Sequence, residues 1–411
     1  MDVDDTWYRK GPDGELIPSA RNGTGLRWQA RWRDPSGHQR KKSFARKGDA
    51  DKHLAAVMTA MNRGAYIDPA AGRILLRVYA VQWLGSHTAD PSSRLAMQTS
   101  LNRILDGLGD YQLARLQPTV IRGWLGDLSK RLAASTIQTT FGMLSSILSA
   151  AVDDELIVRN PCRSRSVSPP AREQQKIVPW TAGQVAAVAS AIDPPWGAAV
   201  LTAAALGLRL GELLGLAAED VDWLRRTVHV RRQVKQLRRD GRLAQCFALP
   251  KRQKTRDIPM SALASEILAG HVAAHSPAAV TLPWGDVDGK PATARLLFTR
   301  GSQSPHRQVF YERIWKPALT GAGMTASGPQ DKVSPHALRH YAASSWLAGG
   351  ANIRDVAEYL GHDDPGFTLR VYGHMMPSAA DRLRSAMDAA LADCAADVPP
   401  QGAGVQKRQV N

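Results

Sequence analysis

Apolar and polar residues alternate strictly over residues 27–33, where two tryptophans and an alanine fall on one side and arginines on the other. This period of two predicts a half-buried β-strand. A turn signal and a returning strand at 39–44 follow, and then a helix at about 49–63. We therefore expect residues 1–70 to form a small domain, a three-stranded sheet plus a helix, whose arginine-bearing face stays free.

Residues 73–158 repeat apolar positions at intervals of three and four residues, which is typical of amphipathic helices. Ser135 is suited to cap the clearest of them. Helices at 92–106, 118–131 and 136–154 predict a small helical bundle.

Residues 159–178 are rich in proline, serine and arginine, which predicts a linker. The pattern at 181–184 is that of a capping box, and it opens a further domain at 179–397. Helices dominate there, with strands expected between 227 and 259. Residues 398–411 are expected to be a disordered tail. The predicted fold class is α+β, mainly helical.

The composition changes this picture through its charge. The chain has 53 basic and 37 acidic residues, a formal net charge of +16, which indicates a polyanionic partner such as nucleic acid. A membrane surface is the competing explanation, but no basic amphipathic helix, lipidation motif or long apolar run supports it. The N-terminus does not resemble a signal peptide, and the three cysteines have no metal-ligand spacing, so the chain is expected to be cytoplasmic.

The basic residues are concentrated in two stretches. Residues 21–47 hold nine basic residues and one acid, and residues 225–256 hold twelve and one. A charge run alone is usually a solvated surface. Because each stretch lies on predicted strands, we expect two separate contacts with DNA.

Two of the chemically suggestive segments carry arginine or lysine. Arg209 and Glu212 stand three residues apart, so they share one face if the segment is helical. Lys251, with Lys254 nearby, lies between expected strands. Each pattern alone is more often a salt bridge or a solvated charge than a catalytic group.

Two other segments lie near the C-terminus. His336 and Arg339 share a face near a helix start, with Ser334 as the expected cap, and such helix ends favour phosphate. Gly361 is expected to end a helix, which places His362 just beyond it. Tyr372 follows ten residues later. A lone tyrosine is more often a core residue than a nucleophile.

Together and in this order, these segments resemble the tyrosine recombinase (phage integrase) family over roughly residues 175–395. The family's site consists of an arginine, a lysine, a His-x-x-Arg pair, a histidine or tryptophan, and a tyrosine. The matching positions are Arg209, Lys251, His336, Arg339, His362 and Tyr372.

The chemistry that the family performs requires such groups. Transfer of a phosphodiester to a tyrosine builds negative charge on phosphate oxygens, which Arg209 and Arg339 are suited to clamp. The resemblance implies that Tyr372 forms a 3′-phosphotyrosyl intermediate, which conserves the bond energy and removes the need for ATP. No cofactor or metal is expected, because the arginines supply the positive charge.

The remaining roles are implied by the resemblance. Lys251 would protonate the leaving 5′ oxygen, although Lys254 stays a rival for this role. His336 would assist proton transfer at the tyrosine, and His362 would bind the phosphate. Glu212 would orient His336 or Arg209. Four nearby residues that match no family position are interpreted as structural: His340, Tyr341, Tyr359 and His374.

The resemblance also implies partners. Residues 73–158 resemble a core-binding domain, and residues 1–70 resemble an arm-type DNA-binding domain. The expected partner is double-stranded DNA with a homotetramer of the chain, and an excisionase or DNA-bending protein is a further candidate. The candidate DNA-binding residues are Arg27, Arg31, Arg33, Lys41, Lys42, Arg163 and Arg165.

An apolar helical stripe follows the tyrosine and includes Leu383, Met387 and Leu391. It packs either against its own domain or, as in many members of the family, against a neighbouring protomer. The resemblance implies a site-specific DNA recombinase that integrates a phage or mobile element into a host chromosome, and two other functions compete with this one. One is a type IB topoisomerase-like enzyme that only relaxes DNA, and the other is a non-catalytic DNA-binding regulator. The separate basic N-terminal domain disfavours the first, and the complete set of site residues disfavours the second.

Overall fold

The computed structural model of the chain divides into two compact units, residues 1–173 and 174–411, and each is described by itself. His374 and the expected tail at 398–411 lie outside the described residues. Within the described part of the chain, no helix is long and apolar enough to cross a membrane. The structure describes residues 2–35, 37–62, 66, 68, 71–87, 91–172, 177–239, 242–324, 333–373 and 379–395.

The first unit begins with a small sheet and one helix. Strand β4 lies in the middle of the sheet, antiparallel to β1 on one side and to β5 on the other, while β2 and β3 form a separate hairpin. Ala30 and Trp32 are buried with residues of α1, as the alternation predicts. The acidic residues of β1 carried no strand signal of their own. The elements are β1 (Asp2–Asp5), β2 (Tyr8–Lys10), β3 (Leu16–Pro18), β4 (Trp28–Arg33), β5 (Gln39–Phe44) and α1 (Lys47–Asn62).

A helical bundle follows, and its core is built from the expected apolar positions, including Ile137, Leu144 and Leu148. The expected cap at Ser135 is wrong. The last helix begins at Ala134, two residues before its predicted start, and no side chain caps it, so Ser135 already lies in its first turn. The helices are α2 (Leu76–Ser86), α3 (Pro91–Leu108), α4 (Pro118–Ser129) and α5 (Ala134–Asp153).

The segment expected to be a linker at 159–178 is packed on the bundle for its first half. Cys162 and Val167 are buried in the bundle core. The side chain of Asn160 donates to the hydroxyls of Ser145 and Ser149 on α5. Apolar contacts spaced through the segment thus outweigh its proline-rich and serine-rich composition.

The second unit is mainly helical, with three small sheets, so the predicted α+β fold class is confirmed. The capping box at its start is present, because Thr181 and Gln184 bond to each other's backbone. Its elements are α6 (Ala182–Ala191), α7 (Trp196–Leu206), α8 (Leu210–Leu214), β6 (Val221–Asp222), β7 (Thr227–Val230), β8 (Gln233–Arg239), β9 (Arg242–Ala248), β10 (Arg256–Pro259), α9 (Ala262–Ala274), β11 (Ala278–Pro283), β12 (Pro291–Leu296), α10 (Arg307–Phe310), α11 (Lys316–Gly321), α12 (His336–Ala348), α13 (Ile353–Leu360), α14 (Pro365–Tyr372) and α15 (Ala379–Ala395).

The sheets of the second unit are all antiparallel. Strands β10, β7 and β6 form one sheet in that order, and β8–β9 and β11–β12 are hairpins. The hairpin β11–β12 was not predicted from the sequence. A large core surrounds α7, and a smaller cluster joins α12, α13 and α14 around Leu360 and Tyr372.

Helix α12 starts differently from the expectation. Its first residue is His336, and Pro335 precedes it without a side-chain cap. Ser334 accepts a hydrogen bond from the backbone of Ala337 through its carbonyl, so the expected side-chain cap is wrong. The helix nevertheless brings Arg339 inward, because the Arg339 position shares the buried face with Ala342 and Ala343.

Candidate active site

Glu212 lies at the centre of the candidate site. It occupies the first turn of α8 and is 1% exposed. One carboxylate oxygen, Oε1, accepts a hydrogen bond from Arg209 Nη1 at 2.8 Å, and Oε2 accepts from the backbone nitrogen of Arg209 at 2.9 Å. Arg209 and Glu212 therefore meet, as their spacing of three residues suggests. The carboxylate of Glu212 binds both the side chain and the backbone nitrogen of Arg209.

A second arginine that the sequence analysis did not single out completes this ion pair. Arg256 on β10 donates from Nη1 to Oε1 of Glu212 at 3.1 Å and from Nη2 to Oε2 at 2.7 Å. It is buried, like Ile258 two positions further along the strand. Because alternate strand residues share a face, this parity with Ile258 is the signal that could have identified Arg256 as an interior residue.

Three successive carbonyls at the end of α13 each bind a different guanidinium group. Arg256 Nε donates to the carbonyl of Tyr359 at 2.6 Å, Arg339 Nη2 to that of Leu360, and Arg209 Nη2 to that of Gly361 at 3.2 Å. The last carbonyls of a helix have no partner within the helix and carry its partial negative charge. The end of α13 thus supplies acceptors where positive charge is concentrated.

Gly361 makes this arrangement possible. It ends α13 in the left-handed region, at φ 65°, as the sequence predicted. Gly361 also lies close to Arg256, because a Cβ added to it would be 3.3 Å from Nη1 of that arginine. A residue without a side chain therefore suits both the backbone conformation and the neighbouring guanidinium.

Arg339 is the most deeply buried of the arginines, at 1% exposure. Its Nη1 donates to the carbonyl of Gly207 at 2.9 Å, and its Nη2 lies 3.0 Å from Nε2 of His362. Burial, together with the nearby charge of Arg209, lowers the pKa of Arg339 to about 9. It remains positive at neutral pH, and an anion beside it would be strongly favoured.

The site contains one buried carboxylate for three guanidinium groups. Burial alone would raise the pKa of Glu212, but the hydrogen bonds and charge of Arg256, with the charges of Arg209 and Arg339, lower it to about 2. Glu212 is therefore ionised, and positive charge remains in excess. Such an excess on fixed donors is suited to hold a phosphate group.

His362 lies against this cluster. Its Nε2 accepts from Arg339, because a guanidinium has only donors, and its Nδ1 lies 2.7 Å from the buried hydroxyl of Thr368. Burial, then the charges of Arg339 and Arg209, lower the pKa of His362 to about 3. The imidazole is consequently neutral across the physiological range, with its proton on Nδ1.

Tyr372 is the last residue of α14 and is 2% exposed. Its Oη lies 2.6 Å from Nδ1 of His340, a residue that was interpreted as structural. Burial raises the pKa of Tyr372 to about 12, against a smaller opposing effect of the charge of Arg339. His336 lies one turn before His340, and their rings meet edge-on with centroids 4.7 Å apart. The structure thus brings Tyr372 and both histidines into the surroundings of Arg339.

The two candidate lysines are placed differently. Lys251 is exposed in a short turn, Lys251–Gln253, between β9 and β10. It takes no part in the contacts that join the arginines, Glu212 and His362. Lys254 makes an ion pair with Asp363, with 2.8 Å between Nζ and Oδ1.

The candidate DNA-binding residues of the sheet domain lie on two faces. The pairing of β4 with β5 places Arg31, Arg33 and Lys41 on the face opposite α1, and Lys42 on the face of Ala30. Arg31 is ion-paired with Asp4 of β1 at 2.9 Å.

Arg27 precedes β4 and is held by several neighbours. It is ion-paired with Asp5 at 2.9 Å, and its guanidinium carbon lies 5.0 Å from the ring centroid of Trp28. Arg163 and Arg165 are exposed on the segment that packs against the bundle.

The sequence of this chain is similar to that of known proteins. The Phage integrase family matches residues 186–378. A prophage phiRv2 integrase of Mycobacterium tuberculosis (strain ATCC 25618 / H37Rv) is 28% identical over 360 residues, which cover 85% of this chain and 88% of the relative.

Two solved structures share the fold. The Tn1549 transposon integrase in complex with transposon right end DNA superposes with a TM-score of 0.62 at 22% identity, over 77% of this chain and 99% of that chain. A lambda integrase tetramer bound to a Holliday junction has a TM-score of 0.54 at 15% identity, over 84% of this chain and 92% of that chain.

Proposed function

We propose a residue-level mechanism for this chain, which belongs to the phage integrase family and is a tyrosine site-specific recombinase of the kind that integrates a phage or other mobile element. The observation that carries the mechanism is that Arg209 and Arg339 both bind the end of α13, while Tyr372 lies close enough to Arg339 for the charge of that arginine to act on its hydroxyl. Only a group with concentrated negative charge matches such a surplus of fixed guanidinium donors beside a phenol.

In this mechanism, the scissile phosphate of double-stranded DNA binds to Arg209 and Arg339. A phosphate oxygen takes the place of His362 as an acceptor for Arg339. His362 then holds the phosphate as the tautomer that donates from Nε2, with the hydroxyl of Thr368 donating to its Nδ1. Tyr372 attacks the phosphorus and keeps the 3′ phosphate in a covalent bond, while the 5′ oxygen leaves. Glu212 and Arg256 are positioning residues, because they hold Arg209 and the end of α13 in place.

Lys251 is the proposed acid for the leaving 5′ oxygen. It is exposed at a turn and is therefore able to reach a bound strand, whereas Lys254 is engaged with Asp363. His336 stays the proposed assistant in proton transfer at the tyrosine, through the ring of His340 that it contacts. No step of this mechanism calls for a cofactor.

The partners are proposed from the surfaces. The sheet domain has an open face, which is the face opposite α1 that carries Arg31, Arg33 and Lys41. This open face and the exposed arginines at 163 and 165 would contact further DNA. Leu383, Met387 and Leu391 are exposed along α15, which supports packing against a neighbouring protomer over packing in the same domain. We place the reaction in the cytoplasm of a bacterial host, with a homotetramer as the active assembly, and an excisionase or DNA-bending protein as an accessory.

The test is covalent trapping on a nicked suicide duplex that carries the crossover sequence read from the element's chromosomal junction. The native chain should form a phosphotyrosyl adduct, and Tyr372→Phe should form none. Arg209→Ala should lose cleavage but keep DNA binding, since most affinity comes from many other phosphate contacts. An adduct in Tyr372→Phe would contradict the nucleophile. Relaxation of supercoiled DNA without exchange between two sites would instead support a topoisomerase.

A further inference from the structure

We infer that His340 is the catalytic residue that accepts the phenol proton of Tyr372 when the tyrosine attacks DNA. The inference rests on the proposed function and deepens it. It starts from the distance of 2.6 Å between Nδ1 of His340 and Oη of Tyr372. A proton acceptor must lie within hydrogen-bond reach of the proton that it takes, and this residue does.

The chain holds both partners of this hydrogen bond in place. His340 directly follows Arg339 on α12, so one helix carries a phosphate-binding group and the acceptor. Tyr372 is packed with Leu360 and Val356 in the small core between α12, α13 and α14. Because its ring is buried, the phenol has little rotational freedom, and its hydroxyl is kept at the imidazole.

The inference assigns a direction to this hydrogen bond. Since burial raises the pKa of Tyr372 to about 12, the phenol is protonated at neutral pH and has a proton to donate. In the proposed step the O–H donates and Nδ1 of His340 accepts, so that its lone pair receives the proton. The reacting oxygen needs such a partner, because a buried phenol does not ionise readily by itself.

The other histidines of the site are less suited to this task. Both ring nitrogens of His362 are engaged, one with Arg339 and one with Thr368, and its low pKa makes it a poor proton acceptor. His336 contacts the ring of His340 edge-on, which places it next to the acceptor.

The proposed step is balanced. In cleavage, the bond between Oη and phosphorus forms while the bond between phosphorus and O5′ breaks. The phenol proton moves to Nδ1 of His340, and Lys251 supplies a proton to O5′. In rejoining, a 5′ hydroxyl attacks the phosphorus and gives its proton to Lys251, the bond between phosphorus and Oη breaks, and His340 returns its proton to the departing Oη.

The central variant is His340→Asn. Its amide keeps a hydrogen-bonding group near the place of Nδ1 but cannot take up a proton at neutral pH. We expect cleavage of the suicide duplex to slow by about 100-fold to 10,000-fold, the usual contribution of acid–base catalysis. Melting temperature and DNA binding, measured on the same preparation, should stay near those of the native chain.

Two further measurements assign the step. Replacing Tyr372 by the more acidic 3,5-difluorotyrosine should restore cleavage in His340→Asn by about 10-fold or more, while it changes the native chain far less. A duplex with sulfur in place of the bridging 5′ oxygen needs no proton on its leaving group. It should therefore rescue Lys251→Ala and should not rescue His340→Asn.

The outcomes separate the inference from the proposed function. If the native chain forms no adduct, the proposed function fails and the inference fails with it. If the native chain reacts and His340→Asn reacts as fast, or fluorination does not help the variant, only the inference is overturned. Rescue by fluorination in His336→Asn and not in His340→Asn would assign the proton to His336. If His340→Asn is unstable, His340→Ala is tested with added imidazole instead. Restored cleavage would support the inference, and no restoration would overturn it.

Discussion

At the scale of single residues, Glu212 is the group that both Arg209 and Arg256 share. Each guanidinium lies within 2.8 Å of a carboxylate oxygen at its shorter contact, in surroundings where water does not reach the acid. Removing one partner of a buried ion pair leaves the other charge without compensation. Glu212 therefore contributes more to stability than the glutamate of an exposed Arg–Glu pair would, although the sequence spacing is the same in both cases.

Glu212→Gln should lower the free energy of unfolding by about 3 kcal/mol at neutral pH. The pKa of Glu212 is depressed in the fold, to about 2 from an ordinary 4.5, so its stabilisation is present above pH 4.5 and is lost as pH falls towards 2. Urea unfolding of the native chain across this range should show the loss, and the variant should not. Glu219→Gln is the control, because its pair with Arg232 is partly exposed and such pairs contribute little. Equal effects of the two variants would contradict this role of Glu212.

At the scale of elements, the ends of helices organise the site more than their faces do. The last carbonyls of α13 receive three arginines, and the residue after α7, Gly207, gives its carbonyl to Arg339. Gly207 has φ 61°, and a Cβ there would lie 2.8 Å from Cδ2 of Leu360. Helix α7 therefore ends where a left-handed residue and close contact with α13 are both required.

Gly207→Ala should destabilise the chain by about 2 kcal/mol, from left-handed strain together with displacement of Leu360. It should also slow cleavage, since the anchor of Arg339 moves with Gly207. Gly270→Ala on α9 is the matched control, because an added methyl group there meets no described atom within 4 Å. The control should be neutral or slightly stabilising. Thermal unfolding of both variants checks this, and a neutral Gly207→Ala would refute it.

The two faces of β5 allow a test on adjacent residues. Lys41 and Lys42 are both exposed, but Lys41 lies on the open face and Lys42 on the face of α1. If the open face binds DNA, Lys41→Ala should reduce the slope of log affinity against log salt by about 1, and Lys42→Ala should leave it unchanged. Fluorescence anisotropy with duplex DNA at several salt concentrations measures the slope. A similar slope for both variants would exclude the open face.

At the scale of the whole molecule, the net charge of +16 and the exposed apolar stripe of α15 point to assembly on DNA. Basic surfaces supply affinity for the duplex without sequence preference. An apolar stripe on a helix that its own domain leaves exposed supplies contact area for a second protein. In the proposed function the two features act at different steps, binding of DNA and joining of protomers.

Replacing Leu383, Met387 and Leu391 together by serine should change the free energy of unfolding by no more than about 0.5 kcal/mol for each substitution, because their side chains are exposed. The variant should bind duplex DNA but form few tetramers on a synapsed pair of sites, as counted by mass photometry. Ala389→Ser is the control, since residue 389 lies on the opposite side of the helix from Met387. An unchanged tetramer population would rule out this stripe as the contact.

Much of the fold was predictable because its signals are local. The alternation of β4, the periodic apolar positions of the bundle and the glycine that ends α13 each depend on a few neighbouring residues. The predicted helix bounds in the bundle lie within two residues of the observed ones. The caps expected at Ser135 and Ser334 were wrong, because where a helix begins depends on packing as well as on its first side chain.

The sequence by itself determined the chemical inventory: the order of the basic residues, histidines and tyrosine, the family that this order resembles, and the charge that indicates a polyanionic partner. Only the tertiary structure decided which groups meet. Arg256 binds Glu212 across 44 positions, and the carbonyl of Gly207 meets Arg339 across 132. His340, which the sequence left as a structural residue, bonds to Tyr372. Periodicity records which side of an element is buried, but the partner on that side is set by the packing of distant elements.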